Sequence, residues 1–150
     1  ALLTRYPRLR GTVLDLAATA DAARGALDAA GLADRSEVVA GSFFDQLPAG
    51  ADGYLLSWIL HDWADEPARQ ILRRCAQAAG EHGRVIVAES IRPDGRSPHT
   101  GMDLRMLAFF GGKERGVAEL SALAADAALR VRQVRRSGSL VLLELKATGR

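Results

Sequence analysis

Apolar positions along this chain fall into two alternating kinds of run. Short stretches rich in β-branched and aliphatic residues read as strands: Thr12-Val13-Leu14-Asp15-Leu16, Glu37-Val38-Val39-Ala40-Gly41, Gly53-Tyr54-Leu55-Leu56-Ser57-Trp58 and Arg84-Val85-Ile86-Val87-Ala88-Glu89. Between them lie Ala- and Leu-rich segments with helical spacing. Thr19 to Ala30 is one, stopped by Gly31. A second is capped by Asp65, carries Pro67 in its first turn, places Ile71, Leu72, Cys75, Ala76 and Ala79 on one face, and ends at Gly80. A Pro-, Gly- and Asp-rich loop from Arg92 to Thr100 leads to a helix around Met102 to Phe110, broken by Gly111-Gly112. Val117, Leu120, Leu123 and Ala124 mark one more helix. Two late runs, Val131 to Arg135 and Leu140 to Lys146, are joined through Ser137-Gly138, close enough to pair as an antiparallel hairpin. Strands alternating with helices predict an α/β fold with a largely parallel sheet.

Composition narrows the class. The chain has 150 residues, 48% hydrophobic and 25% charged, which suits a single globular domain with a real core. No apolar run approaches the roughly 18–20 residues of a membrane span, so no membrane partner is expected. Cys75 stands alone on an apolar helix face, where it reads as packing. Net charge is +2, and apart from Lys113 and Lys146 every basic residue is an arginine scattered along the chain. The densest group, Arg130, Arg132, Arg135 and Arg136, alternates with other residues as the solvated edge of a sheet would. With aromatics at 5%, a nucleic-acid partner is not expected.

The chemistry concentrates at strand ends. His61-Asp62 follows the apolar run Ser57-Trp58-Ile59-Leu60, so an imidazole falls at the carboxyl end of a strand, where α/β sheets bind ligands. Such a histidine suits deprotonation of a weakly acidic hydroxyl while its oxygen attacks an electrophile. A base of that kind is oriented by a carboxylate on its other ring nitrogen, and Glu89 and Glu114 are the candidates. Asp15 ends the first strand; a carboxylate there can accept both hydroxyls of a ribose, although an aspartate is also an ordinary turn residue. Gly41-Ser42-Phe43-Phe44 offers a close backbone approach and a flat aromatic surface, as a plain hydrophobic turn also would. Spacing excludes other chemistries. Leu107 and Glu114 stand where a phosphate loop around Lys113 needs glycine and Ser/Thr. His61, His82 and His99 lack metal-ligand spacing, and no G-x-S-x-G elbow is present.

Val13-Leu14-Asp15-Leu16, Gly41-Ser42-Phe43-Phe44, Trp58-Ile59-Leu60-His61-Asp62-Trp63, Val87-Ala88-Glu89, Met102-Asp103-Leu104 and Gly111-Gly112-Lys113-Glu114-Arg115 together resemble the S-adenosylmethionine-dependent O-methyltransferases. The resemblance is to the caffeic-acid/hydroxyindole type, in its bacterial natural-product branch. It implies a Rossmann-like class I methyltransferase sheet with a C-terminal antiparallel hairpin, and S-adenosylmethionine as cofactor. By the same resemblance His61 is the general base, with Glu89 and Glu114 flanking it. Asp15, Ser42, Phe43 and Ser57 would lie on the cofactor side, and Asp62, Met102, Asp103 and Met106 on the acceptor side. The acceptor would be a small aromatic or polyketide-like hydroxyl compound, and the cell compartment the cytoplasm.

Two positions depart from the family. Ser42 replaces the usual acid, and Ser57 the lysine frequent in plant enzymes. The family's first strand, its glycine-rich loop and its N-terminal dimerisation domain would precede Leu2, so residues 1–150 are expected to be a partial catalytic domain of a homodimeric protein. Two rivals stay open. One is a truncated, non-catalytic domain with a structural role; the other is a nicotinamide oxidoreductase, since Asp15 could serve either nucleotide.

Overall fold

The computed structural model describes residues 1–91, 112 and 114–148. Contacts within the chain divide it into two units, Ala1–Asp45 and Gln46–Arg150. In the first, a short helix α1 (Leu2–Arg5) precedes strand β1 (Gly11–Asp15), helix α2 (Ala17–Ala29), a 3-10 turn (Ala33–Arg35) and strand β2 (Ser36–Ala40). β1 and β2 pair in parallel from Gly11↔Ser36 to Asp15↔Ala40. The guanidinium of Arg35 donates to the carbonyls of Leu3 and Leu9 at 2.9 and 3.0 Å, tying the approach to β1 down. That side chain satisfies carbonyls that neither helix nor sheet uses.

The second unit is a four-stranded sheet in the order β3-β4-β6-β5, covered by two helices. Its elements are β3 (Gly53–Ser57), a 3-10 turn (Leu60–Asp62), α3 (Asp65–Ala79), β4 (Arg84–Ser90), α4 (Val117–Asp126), β5 (Leu129–Ser137) and β6 (Leu140–Ala147). β3 and β4 run parallel; β4–β6 and β6–β5 are antiparallel. Val141, Leu143 and Leu145, every second residue of β6, are buried, as the two-residue period of a half-covered strand requires. They join Val85 and Val87 of β4, Ile71, Leu72 and Cys75 of α3, and Leu120, Leu123 and Ala124 of α4 in one core. Burial pushes the Cys75 thiol up to about 12, so it packs as a small apolar group. Arg130, Arg132, Arg135 and Arg136 lie exposed on β5, the terminal strand, as expected of a solvated edge.

Three local expectations are corrected. The third strand ends at Ser57, because Trp58 turns out of it with φ of 59°. Asp65 does not cap α3: Ala64 holds the cap position and makes no side-chain cap bond, while the Asp65 carboxylate accepts from Arg115 instead. The hairpin turns one residue later than expected, at Gly138 and Ser139, with Gly138 at φ of 61° where glycine costs least. The helix expected around Met102 to Phe110 lies outside the described residues, as do the candidates Met102, Asp103 and Met106. Among the described residues no helix is long and apolar enough to cross a membrane.

Candidate active site

Four of the singled-out residues meet in the second unit. β3 and β4 are in register from Gly53↔Arg84 to Ser57↔Ala88, so both carboxyl ends open on the same edge of the sheet. At that edge Trp58 donates its N–H to Ala88 O at 3.0 Å and then reverses the chain through a positive φ. A non-glycine residue in that region costs energy and needs surrounding structure to hold it. The reversal drops Leu60, which is buried, into the core and sets His61 beside the end of β4.

Glu89 receives the turn. It is only 4% exposed, and its two oxygens are divided between two donors. Oε1 accepts Leu60 N–H at 2.9 Å, and Oε2 lies 2.8 Å from His61 Nδ1. Leaving a buried carboxylate without such partners costs about 3–5 kcal/mol, so both contacts are structural requirements of having the acid there. The pairing assigns the imidazole proton to Nδ1 and turns the Nε2 lone pair outward. Nε2 lies 3.2 Å from Asp62 Oδ1, a contact favourable while Nε2 carries a proton and repulsive between lone pairs once it does not. The hydrogen bond to Glu89 holds the imidazole above its ordinary 6.5. Burial works against that rise, while the charges of Glu89, Asp62 and Glu114 add to it. Glu114 thus acts on His61 through its charge. Trp58 stands edge-on to the imidazole, ring centroids 6.4 Å apart, with its indole 55% exposed.

Sequence reasoning left Arg115 without a role. Its guanidinium is buried and donates to Leu60 O and Trp63 O, both at 2.7 Å, and to Asp65 Oδ1 at 2.8 and 3.1 Å. The signal was an arginine closing the Gly111-Gly112-Lys113-Glu114-Arg115 run, but its partners lie some 50 residues back in the chain.

The cofactor-side candidates of the first unit form their own group. Asp15 and Ser42 stand at the carboxyl ends of the paired strands β1 and β2, joined by Gly41 N–H to Asp15 O at 2.9 Å. Asp15 Oδ1 accepts Leu16 N–H at 2.7 Å, which leaves Oδ2 for a hydroxyl. Ser42 Oγ accepts Phe44 N–H at 3.2 Å and keeps its own O–H to donate. Phe43 is half-buried beside it. An acceptor oxygen with spare lone pairs and a nearby hydroxyl donor fit a ribose diol and a polar heterocycle. Ser57 is exposed at the end of β3 in the second unit. Among the described residues no group of His, Cys, Asp and Glu is arranged to hold a metal ion.

A sequence profile of the O-methyltransferase domain matches residues 1–130. The chain is 54% identical over 147 residues to 2,7-dihydroxy-5-methyl-1-naphthoate 7-O-methyltransferase of Streptomyces carzinostaticus, a match over 98% of this chain and 44% of that protein. It is 44% identical to aclacinomycin 10-hydroxylase RdmB of Streptomyces purpurascens, over 95% of this chain and 39% of the relative. Among solved structures, the O-methyltransferase NcsB1 from neocarzinostatin biosynthesis, in complex with S-adenosylmethionine and 2-hydroxy-5-methyl naphthoic acid, superposes with a TM-score of 0.92. That match is at 53% identity over 98% of this chain and 44% of the other. The chain therefore spans less than half the length of these relatives. The superposition bears out the class I methyltransferase fold expected from the sequence. One relative bears the name of a hydroxylase, so kinship alone does not set the reaction. By profile, by sequence and by structure, the chain belongs to the O-methyltransferase domain family.

Proposed function

We propose that this chain is the catalytic portion of an S-adenosylmethionine-dependent O-methyltransferase acting on a hydroxyl of a small aromatic or polyketide-like compound. The observation that carries the reading is the 2.8 Å contact between buried Glu89 and His61 Nδ1, which leaves Nε2 as a proton acceptor at a strand end. A hydroxyl brought to Nε2 loses its proton there as its oxygen becomes nucleophilic. The imidazolium so formed keeps Nδ1–H on Glu89, with Asp62 beside Nε2 and the charge of Glu114 nearby. Three carboxylates around one cation favour the charge that develops on His61. S-adenosylmethionine, when bound, supplies a methyl group already electrophilic on its sulfonium. Asp15 and Ser42 would hold its ribose and base, with Phe43 against the adenine; Ser57, exposed at the end of β3, is a further candidate cofactor contact. The named activities of the naphthoate relative and of NcsB1 support the same cofactor and acceptor class.

Residues 1–150 form part of the catalytic domain in this reading, and by the family resemblance we propose that the whole protein is a homodimer in the cytoplasm. The 44% coverage of the relatives supports the first point. Light scattering on the full-length protein tests the second. The activity itself is tested by giving the full-length protein a labelled methyl donor and a panel of aromatic hydroxyl compounds, with His61→Ala in parallel. General-base loss should lower turnover by roughly 100- to 10,000-fold while cofactor affinity holds. Full turnover in H61A, or no methyl transfer to any hydroxyl acceptor by the unaltered protein, overturns the reading.

A further inference from the structure

The turn that carries His61 is weakly held by its own backbone. It spans only Leu60–Asp62, and its internal bonds, Asp62 N–H to Ile59 O and Trp63 N–H to Leu60 O, are 3.2 and 3.3 Å long. Short 3-10 turns have poor hydrogen-bond geometry, so something else must fix the imidazole to catalytic tolerance. Glu89 takes the N–H of Leu60 on one side. On the other side Arg115 takes the carbonyl of that same residue, and with its next nitrogen the carbonyl of Trp63. The two carbonyls bracket His61 and Asp62. The guanidinium is seated in turn on Asp65, the first residue of α3.

We propose that Arg115 is a positioning residue for the base: its planar fork clamps the Leu60 and Trp63 carbonyls and so delivers His61 to Glu89. The proposal rests on reading His61 as the general base. A purely structural role explains the placement less well, because a buried guanidinium loses its hydration and an apolar side chain fills a core as well or better. The geometry also requires arginine. Two carbonyls and a carboxylate meet three nitrogens in one plane, which the point charge of lysine cannot match. Gly112 is an independent sign of how closely the turn is packed. A Cβ built there would fall 2.7 Å from the carbonyl oxygen of Asp62 and against that of His61.

The test uses the full-length protein carrying Arg115→Lys and, separately, Arg115→Ala. Two quantities are read: acceptor kinetics, and the downfield proton resonance of His61 Nδ1–H, which reports its bond to Glu89. A displaced base should cost kcat about 100-fold, with KM for the acceptor and affinity for S-adenosylmethionine little changed. The resonance should move upfield or broaden. A folded R115K protein that keeps both its kcat and its resonance overturns the proposal. If neither Arg115 variant folds, Asp65→Asn, which loosens the seat of the guanidinium without removing it, decides by the same two readouts. The parallel H61A variant separates the two ideas. Unimpaired H61A turnover overturns the base, whereas the resonance in R115K still reports whether Arg115 holds the turn.

Discussion

Glu89 divides its two oxygens between a backbone N–H and an imidazole, and a glutamine there can satisfy only one of them. In Glu89→Gln the remaining carbonyl oxygen suits Leu60 N–H, so the amide NH2 faces His61 Nδ1. That forces the proton onto Nε2, the nitrogen that accepts one in the proposed reaction. The full-length E89Q protein should therefore lose roughly a thousandfold or more in kcat while cofactor affinity persists. The unaltered protein's pH profile carries the same information. His61 is a base only when neutral, and Glu89 first, then the surrounding charges, raise it above 6.5, so kcat should climb with pH along a limb centred above 6.5. The stability term has the opposite slope. A histidine raised on folding stabilises fully below its unfolded value and loses that contribution as pH rises through the folded one. Tm should fall across that window in the unaltered protein and fall less in H61A. A kcat limb at or below 6.5 contradicts the Glu89 contact. Much of this was legible in sequence, because His61 and Glu89 each end an apolar run and strand ends converge. Arg115 was not: its partners at Leu60, Trp63 and Asp65 share no local pattern with it.

At the scale of elements, the site is a junction of two parallel strand ends and one short turn, with Gly112, Glu114 and Arg115 against them. The junction tolerates little added volume. A methyl group at Gly112 would meet backbone atoms of His61 and Asp62, and backbone cannot rotate aside as a long side chain can. Gly112→Ala should destabilise the protein by about 1–3 kcal/mol, as overpacking does. It should also lower kcat by more than the loss of folded protein explains, about tenfold or greater, because the displaced atoms carry the proposed base. Thermal melts beside steady-state kinetics on the same preparation separate the two effects, and normal kcat with a lowered Tm limits Gly112 to packing. Periodicity found these elements well and their ends less well. The core alternation of β6 and the apolar face of α3 repeat over many residues, so they stand out. The end of β3 at Ser57 depends on one positive φ at Trp58, and the cap of α3 on whether Asp65 prefers its own helix or Arg115. Both outcomes are set by residues distant in sequence, so no local window contains them.

For the molecule as a whole, the decisive fact is how the strands are shared out. Among the described residues β1 pairs only with β2, and β3 only with β4, so each presents one edge without a strand partner. Interior strands of parallel sheets are paired on both sides and covered on both faces. Here Val13 of β1 and Leu55 of β3 are 37% and 50% exposed, apolar positions that a further strand or a covering helix would bury. Asp15 and Ser57 stand at the carboxyl ends of these two strands, so these proposed cofactor residues hang on strands paired on one side only. Rigid placement of such groups is what converts hydrogen-bonding capacity into affinity. The 150 residues by themselves should therefore bind S-adenosylmethionine weakly, and the same sequence within a protein of the relatives' length should bind it well. Calorimetric titration of both forms measures the difference directly. Melting measures it independently, since ligand at about 100 times its Kd stabilises the competent form by about 2.7 kcal/mol and leaves a non-binding form unmoved. Equal, tight binding by the 150 residues would mean that Asp15, Ser42 and Phe43 need no support beyond β1 and β2, and the argument from the open edges would fall.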